Sequence, residues 1–440
     1  MPVGRQVLNS KLMKKVVIFG PGPQFKGGIA NYTASLAKAL DKLGAEVYIV
    51  SWTQQYPSII PRDFIDRSSK KNLLDGTNIK VRYVTNYNKP FSWKRTVNVI
   101  REINPDITIF QWAIAVQGLP MGFIAKKLKQ VCKCEIIFDL HVVAQKEGSA
   151  IDKAMLRYAL SKPHTFIVHS LKTFDELKKV FPNQNYTLCK ENQKRLDRQQ
   201  PATNDQQQIL KLYHPVYDMF TPDPKFDKEK VKKELGLRKH VFLFFGFIRK
   251  YKGLHNVIAS FAKLAKERDD VSLLVVGESF WNTLDTKKIS TKIKQGVFAL
   301  IKKILIRKAD DESNYRPLEL INQLGISDQV VVVNRYVGNE EVHKYFQVAD
   351  CNVLFYLVAT PSGVESMAYN FKLPTIATKV GHFPETIKHG YNGYLAEPDN
   401  IDSMYSVMKE FLNNPIPRER IEEQAKNMSW ENYAKTILNQ

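Results

Sequence analysis

The sequence predicts an α/β protein of two doubly wound domains facing a central cleft. Apolar strand-like runs alternate with amphipathic helical stretches through both halves, the pattern of parallel sheets covered by helices. The rhythm halts at a proline-containing connector near residue 217 and then restarts. At 440 residues the chain is long enough for two or three domains, each with its own core.

In the first half, strands are expected at 15–20 (KVVIFG), 45–51, 106–112, 135–141 and 165–170. Between the first two, GIANYTASLAKALDKLG repeats apolar residues at helical spacing until Gly44 ends the helix. From about Asn183 to Gln208 the chain is polar, rich in Gln, Asn and Lys, and nearly without periodicity. LYHPVYDMFTPDP (212–224) reads as the connector. The second half runs through a strand at 241–247, a helix LHNVIASFAKLAKE, and strands at 271–278, 329–337, 350–357 and 373–381. The expected units are 1–217, 218–425 with an insertion at 282–312, and a terminal segment 426–440 that packs back on the first domain.

The insertion breaks the rhythm. Ile289, Ile293, Val297, Ile301 and Ile304 recur at helical spacing within 287–308, and eight Lys or Arg line the remainder. Such a stripe suits an anionic membrane surface, a helix packed on its own domain, or a partner protein. The net charge of +21 favours polyanionic partners: nucleic acid, acidic lipid headgroups or phosphorylated substrates. Helix-turn-helix, zinc-finger and RNP-type signatures are missing, which argues against nucleic acid. No apolar run reaches the ~18–20 residues that cross a bilayer. VVIFG after Lys14 and Lys15 is too short for a signal peptide, and residues 1–12 read as a dispensable arm. Cys132, Cys134, Cys189 and Cys351 are few and unpatterned, so a reduced, cytoplasmic setting fits and zinc does not.

Four stretches carry candidate chemistry. In open α/β sheets, ligands sit beyond the carboxyl ends of strands. There FFGFIRKYKG (244–253) places Arg249 and Lys252 just after the turn at Gly246, a planar donor fork beside a compact charge, suited to a diphosphate. A solvated basic loop is the alternative. In FYLVATPSGVESMAYNFKLP (355–374) a turn through Ser362 and Gly363 opens a helix near Val364, whose free N–H groups suit phosphate oxygens. Glu365 stands in that helix's first turn, where it either accepts sugar or ribose hydroxyls or favours the helix dipole. FGPGPQFKGGIANY (19–32) is glycine-rich but fails the dinucleotide fingerprint: Phe25 stands where a third glycine is due, and no acidic residue ends the second strand. Gly27 and Gly28 still allow a ligand to approach the backbone. His141 emerges at the carboxyl end of a strand, the edge that faces the cleft. No D-x-D pair is present to chelate a metal, so positive charge for a bound phosphate must come from side chains.

Taken in order, these stretches resemble glycosyltransferase family 4, the retaining nucleotide-sugar enzymes of the GT-B fold with two Rossmann-like domains. HPVYD, NRYVGNEEVHKYFQVADCNVLFY, LPTIATKVGHFPETIKHGYNGYLAEPDN and the terminal SWENYA carry the likeness across most of the chain. The resemblance implies that Arg249 and Lys252 hold the donor diphosphate, with Ser362, Gly363 and the Gly246 turn beside it. It implies that Tyr336 and Val337 hold the base, that His141 meets the transferred sugar or reacting centre, and that Gly28 lies near acceptor and phosphates. The family's E-x7-E pair falls here on Ala359 and Met367, so the chain resembles members in which S-G-V replaces the first Glu. Glu365 is the only carboxylate in that stretch, so the sequence lacks both acids of the family pair.

The resulting expectation is a cytoplasmic, metal-independent, retaining glycosyltransferase without a cofactor. It takes a UDP- or GDP-sugar and a glycan, polysaccharide or lipid-linked acceptor, with a peripheral membrane contact through 287–308 as one reading of that segment. The rivals are a sugar-nucleotide epimerase of the same fold and a basic nucleic-acid-binding protein.

Overall fold

The computed structural model describes residues 13–56, 64–67, 73–143, 150–190, 206–279, 315–359 and 362–439. The insertion 282–312, with its 287–308 stripe, lies outside the described residues, as do Thr360 and Pro361.

The first half forms one parallel sheet. Its strands are β1 (Lys15–Phe19), β2 (Glu46–Gln54), β3 (Lys80–Asn86), β4 (Ile107–Trp112), β5 (Glu135–Leu140), β6 (Thr165–Val168), β7 (Asn185–Lys190) and β8 (Gln206–Lys211). They run in the order β3-β2-β1-β4-β5-β6-β8-β7. The second half forms another parallel sheet from β9 (His240–Phe245), β10 (Val271–Val276), β11 (Val330–Val333), β12 (Cys351–Leu354), β13 (Thr375–Thr378) and β14 (Gly393–Ala396). Its order is β11-β10-β9-β12-β13-β14.

Numbered within each half, both sheets carry the order 3-2-1-4-5-6, that of doubly wound nucleotide-binding folds. The direction of winding reverses between β1 and β4, and again between β9 and β12. A crevice opens at each reversal, beyond the carboxyl ends of the strands. The central strands are buried on both faces, so they read as unbroken apolar runs such as VFLFF.

Helices α1 (Gly28–Lys42), α2 (Pro90–Ile103), α3 (Gly118–Val131), α4 (Ala150–Leu160) and α5 (Leu171–Val180) connect the first sheet. α1 covers one face with the last helix, Trp430–Leu438, while α2 to α5 pack their apolar stripes on the other. The last helix thus returns to the first sheet. Lys14 Nζ donates to the Leu438 carbonyl, and the Trp430 ring lies 4.9 Å from that of Tyr32 on α1. Ser429 caps the helix by accepting from the Asn432 N–H.

The structure corrects the sequence reading at the sheet margins. The polar stretch 183–208 contributes strands in its described residues: β7 and β8 pair in parallel at one end of the first sheet. β3 and β14, also unread in the sequence, are outermost strands. β3 has one neighbour and is largely exposed, so KVRYVTN lacks the apolar run of a central strand, whereas β8 (QQQILK) lies between β6 and β7 and was hidden by its polar first half.

Trp430→Ala is expected to lower unfolding stability by roughly 3–5 kcal/mol, because it removes a large buried ring from the contact with α1. Urea denaturation of the full chain measures this loss.

Candidate functional site

A cavity of about 250 Å³ lies between the two sheets. Gly27, Gly28 and Asn31 from the start of α1 form one wall; residues after β9, β10, β11 and β12 form the other. The reversal points of the two sheets therefore face one space.

The strand end FFGFIRKYKG explains itself here. Gly246 leaves β9 at φ 99°, a left-handed conformation that glycine adopts without strain. A β-carbon there would stand 2.7 Å from Lys252 Nζ, so glycine makes room for the ammonium. Residues 250–252 form a tight 3₁₀ turn, and Gly253 (φ 66°) ends it where any β-carbon would strike the Phe355 carbonyl oxygen at 1.9 Å. That close approach carries Lys252 into the cavity wall beside β12.

Lys252 is buried, only 8% exposed, and no acceptor among the described residues bonds its ammonium. Burial and, after it, the neighbouring Arg249 charge bring its pKa down to about 8. A buried cation without an anionic partner is costly, and it is what an incoming anion would relieve. Arg249 precedes the turn, its guanidinium 5.8 Å from the Tyr251 ring, and does not line the cavity.

Opposite Lys252, the helix Gly363–Asn370 points its amino end at the cavity through Ser362, Gly363 and Val364. The Ser362 side chain does not cap its own helix, which leaves first-turn N–H groups for an anion. Tyr217, from the connector, joins this helix to the glycine loop. Its hydroxyl donates to the Gly28 carbonyl at 2.9 Å, and its ring packs where a β-carbon at 363 would come within 2.7 Å. Gly363 permits that contact.

Tyr336 and Val337 line the far end of the cavity. The rings of Phe247 and Tyr336 stack at 28° with centroids 6.2 Å apart. Lys26 Nζ sits 5.0 Å from the Tyr336 ring, and the tyrosine hydroxyl donates to Asp66 Oδ2 at 3.4 Å. Arg335 is held by Glu341 at 3.0 Å.

Glu365 differs from expectation. Its carboxylate is 2% exposed and turned inward, where His382 Nε2 and Thr386 Oγ1 both donate to it. It fastens the helix Gly363–Asn370 to the segment after β13 and does not line the cavity. The carboxylate that does line it, among the described residues, is Glu278 at the end of β10. Sequence reading missed Glu278, Asn31, Tyr217 and Phe247, although VSLLVVGE places an acid at a strand's carboxyl end.

His141 also stands apart from the cavity lining, in a buried polar cluster at the end of β5. Its Nε2–H donates to Gln111 Oε1 at 2.6 Å, while Gln111 Nε2 donates to Asp139 Oδ2 at 3.4 Å. Asp139, wholly buried, also accepts from His169 Nε2 at 2.8 Å and from the Tyr433 hydroxyl at 3.1 Å. Burial works to raise the Asp139 pKa, but His169 and the other partners outweigh it and hold it at about 2. Burial drives His141 down to about 4, against the pull of Asp139 and with the help of His169. The ring is neutral at physiological pH. His214 is likewise lowered, chiefly by burial, and its Nδ1 meets Ser366 Oγ at 2.7 Å. Tyr32 packs against His141, His169 and His214 together.

Comparison with known proteins agrees with this architecture. Residues 225–428 match the model of the family described as glycosyl transferases group 1, so the chain carries an enzyme domain of the transferase class. The chain is similar to spore coat protein SA of Bacillus subtilis, 23% identical over 239 residues, 52% of this chain and 55% of that one. It is similar to chitobiosyldiphosphodolichol beta-mannosyltransferase of Debaryomyces hansenii, 22% identical over 278 residues, 60% of this chain and 55% of that one. The chain thus spans about half the length of these relatives. HepE from Anabaena, solved in complex with UDP-glucose, superposes with a TM-score of 0.60 over 97% of both chains at 14% identity, a likeness of fold. The two-domain α/β architecture read from the sequence is that of such GT-B structures.

Two outcomes follow from the charges. Lys252→Met should stabilise the ligand-free protein at pH 7 by about 1–3 kcal/mol, since a shift from 10.5 to about 8 is a cost of that order. The unfolded chain keeps this proton up to pH 10.5, so the gain should shrink as pH rises from 8 to 10.5, as urea titrations at each pH would record. In acid, the unfolded chain protonates histidine below its ordinary 6.5 while folded His141 stays neutral to about 4. Stability should therefore fall by about 3 kcal/mol between those values, and His141→Gln should flatten the decline. The Asp139 contribution persists above 3.8 and is lost only as pH drops from there toward 2.

Proposed function

We propose that the group 1 domain of this chain makes it a retaining, metal-independent glycosyltransferase, which moves a sugar from a UDP- or GDP-sugar to a glycan, polysaccharide or lipid-linked acceptor. One observation carries this reading: Lys252, a buried cation without an anionic partner among the described residues, lines a cavity faced by an uncapped helix amino end and two glycine-rich loops. That combination fits a diphosphate.

In this reading the base lies by the Phe247–Tyr336 stack and the Val337 backbone. The diphosphate lies between Lys252 and the Ser362–Val364 helix start, with Gly246, Gly27 and Gly28 allowing close approach. Arg249 adds a second charge from just outside the lining. Glu278 takes the ribose hydroxyls, since Glu365 is committed to His382 and Thr386. As the bond to the sugar breaks, negative charge grows on the departing phosphate, and Lys252 and Arg249 stabilise it without reorganising. These cations do the work that a divalent ion does in metal-dependent transferases. The acceptor hydroxyl attacks from the same face and gives its proton to the leaving phosphate. His141 stands on the acceptor side, where Gln111 holds its Nε2 and a neutral ring can contact a sugar hydroxyl. The UDP-glucose bound to HepE supports a nucleotide-sugar donor, and the name of the Debaryomyces relative supports a lipid diphosphate among the acceptors.

Thermal-shift screening with UDP- and GDP-sugars should identify the donor. Arg249→Ala and Lys252→Ala should each lower turnover by roughly 10²-fold or more, the effect of losing one transition-state donor. NMR of the product should show the donor's anomeric configuration retained. Near-normal turnover in either variant would remove the assignment, and isomerised donor formed without acceptor would replace it with an epimerase.

A further inference from the structure

We infer that the helical face of the first sheet, formed by α2, α3 and α4, docks on an anionic lipid bilayer. The crossovers β3-α2-β4, β4-α3-β5 and β5-α4-β6 are successive in the sheet. The three helices therefore lie side by side on one face, α2 against α3 and α3 against α4, and each starts at the carboxyl rim of the strands.

The second residue of each helix is a large apolar side chain directed to solvent. Phe91 is 86% exposed, Leu119 47% and Ile151 64%. Single exposed apolar residues are ordinary on any surface. Here the same position repeats on three adjacent helices along one rim, and Phe91 is the most exposed large apolar residue of those described. Burying such side chains is favourable, so a row of them left in water marks a surface that meets something apolar.

The charge around the row is one-sided. Lys89, Lys94, Arg95, Lys126, Lys127 and Lys153 are exposed on these helices and their entry turns. Within the three helices the carboxylates are Glu102 and the partly buried Asp152 alone. Apolar side chains for the acyl boundary with cations for the headgroups are the two components of interfacial binding. A second copy of the chain fits worse, because it would set cations against cations. Single-stranded nucleic acid would use the cations and Phe91, but Leu119 and Ile151 offer no ring for a base to stack on. The docking rim is the edge of the first sheet that carries Gly27, Gly28 and His141, so a bound bilayer would stand at the acceptor side of the cleft. Docking requires neither donor nor turnover, and its test is independent of the transferase reading.

Vesicle flotation of the full chain, without nucleotide, tests the inference. Wild type should float with phosphatidylglycerol-containing vesicles and stay behind with pure phosphatidylcholine. Phe91→Ser combined with Ile151→Ser should weaken the partition roughly tenfold or more, as should the triple reversal Lys94→Glu, Lys127→Glu, Lys153→Glu, each with the wild-type thermal transition. Wild type that fails to float, or either variant floating like wild type, would overturn the inference. So would a fall in solution mass for the apolar variant, which would make the face a contact between copies, or displacement of vesicles by single-stranded RNA with binding lost in both variants.

Discussion

Asp139 lies at the end of β5 with no solvent contact, and three neighbouring elements direct a donor at its carboxylate. Gln111 comes from β4, His169 from the end of β6, and Tyr433 from the final helix. An ionised carboxylate at that depth is tolerable only because its oxygens are met by these donors. The consequences reach outward. Gln111, its amide group directed at Asp139, presents its carbonyl oxygen to His141 and so sets which ring nitrogen carries the proton. Tyr433 ties the last helix to the first sheet, and Tyr32 fills the space between that helix and three histidines. The position of His141 and the return of the carboxyl terminus thus depend on one charge.

The cavity follows the opposite rule. Lys252 is buried, yet among the described residues no carboxylate comes to meet it. Its environment is shaped for approach rather than compensation: Gly246 clears the ammonium, Gly253 lets the turn press against β12, and Gly363 admits Tyr217. A core optimised for stability would pair or remove this charge. Glu365, the nearest acid in sequence to the helix start, is used instead as an internal brace for His382 and Thr386.

Contacts across the cleft join the halves at both ends of the cavity. Tyr217 links the glycine loop to the helix Gly363–Asn370, and Tyr336 reaches Asp66 and Lys26 of the first half. The connector is itself anchored, through His214 to Ser366 and through the Phe220 carbonyl, which accepts from Asn370. What reads in the sequence as a spacer between domains is a wall of the candidate site.

The legible parts were those whose physics is local. Buried parallel strands must be continuously apolar, so VVIF, ITIF and VFLFF announced the two sheets. Glycines and a cation at strand ends announced the rim at which the cavity opens, because chain direction alone puts those ends at the crevice. β3, largely exposed at the sheet margin, and β7 and β8, polar in sequence, carried no such signature, and with the four-residue β14 they passed unread. Whether a charged or polar residue faced the cavity could not be local either. Glu365 and Glu278 are both acids at the carboxyl edge of a sheet, yet one is drawn inward by His382 and Thr386 and the other lines the cleft. That choice rests on partners brought from distant segments, as does the assembly of Gln111, His169 and Tyr433 around Asp139. Pattern along the chain settled the architecture and the rim at which the cavity opens; only folding, by setting which donors surround which charge, decided what each side chain is free to do.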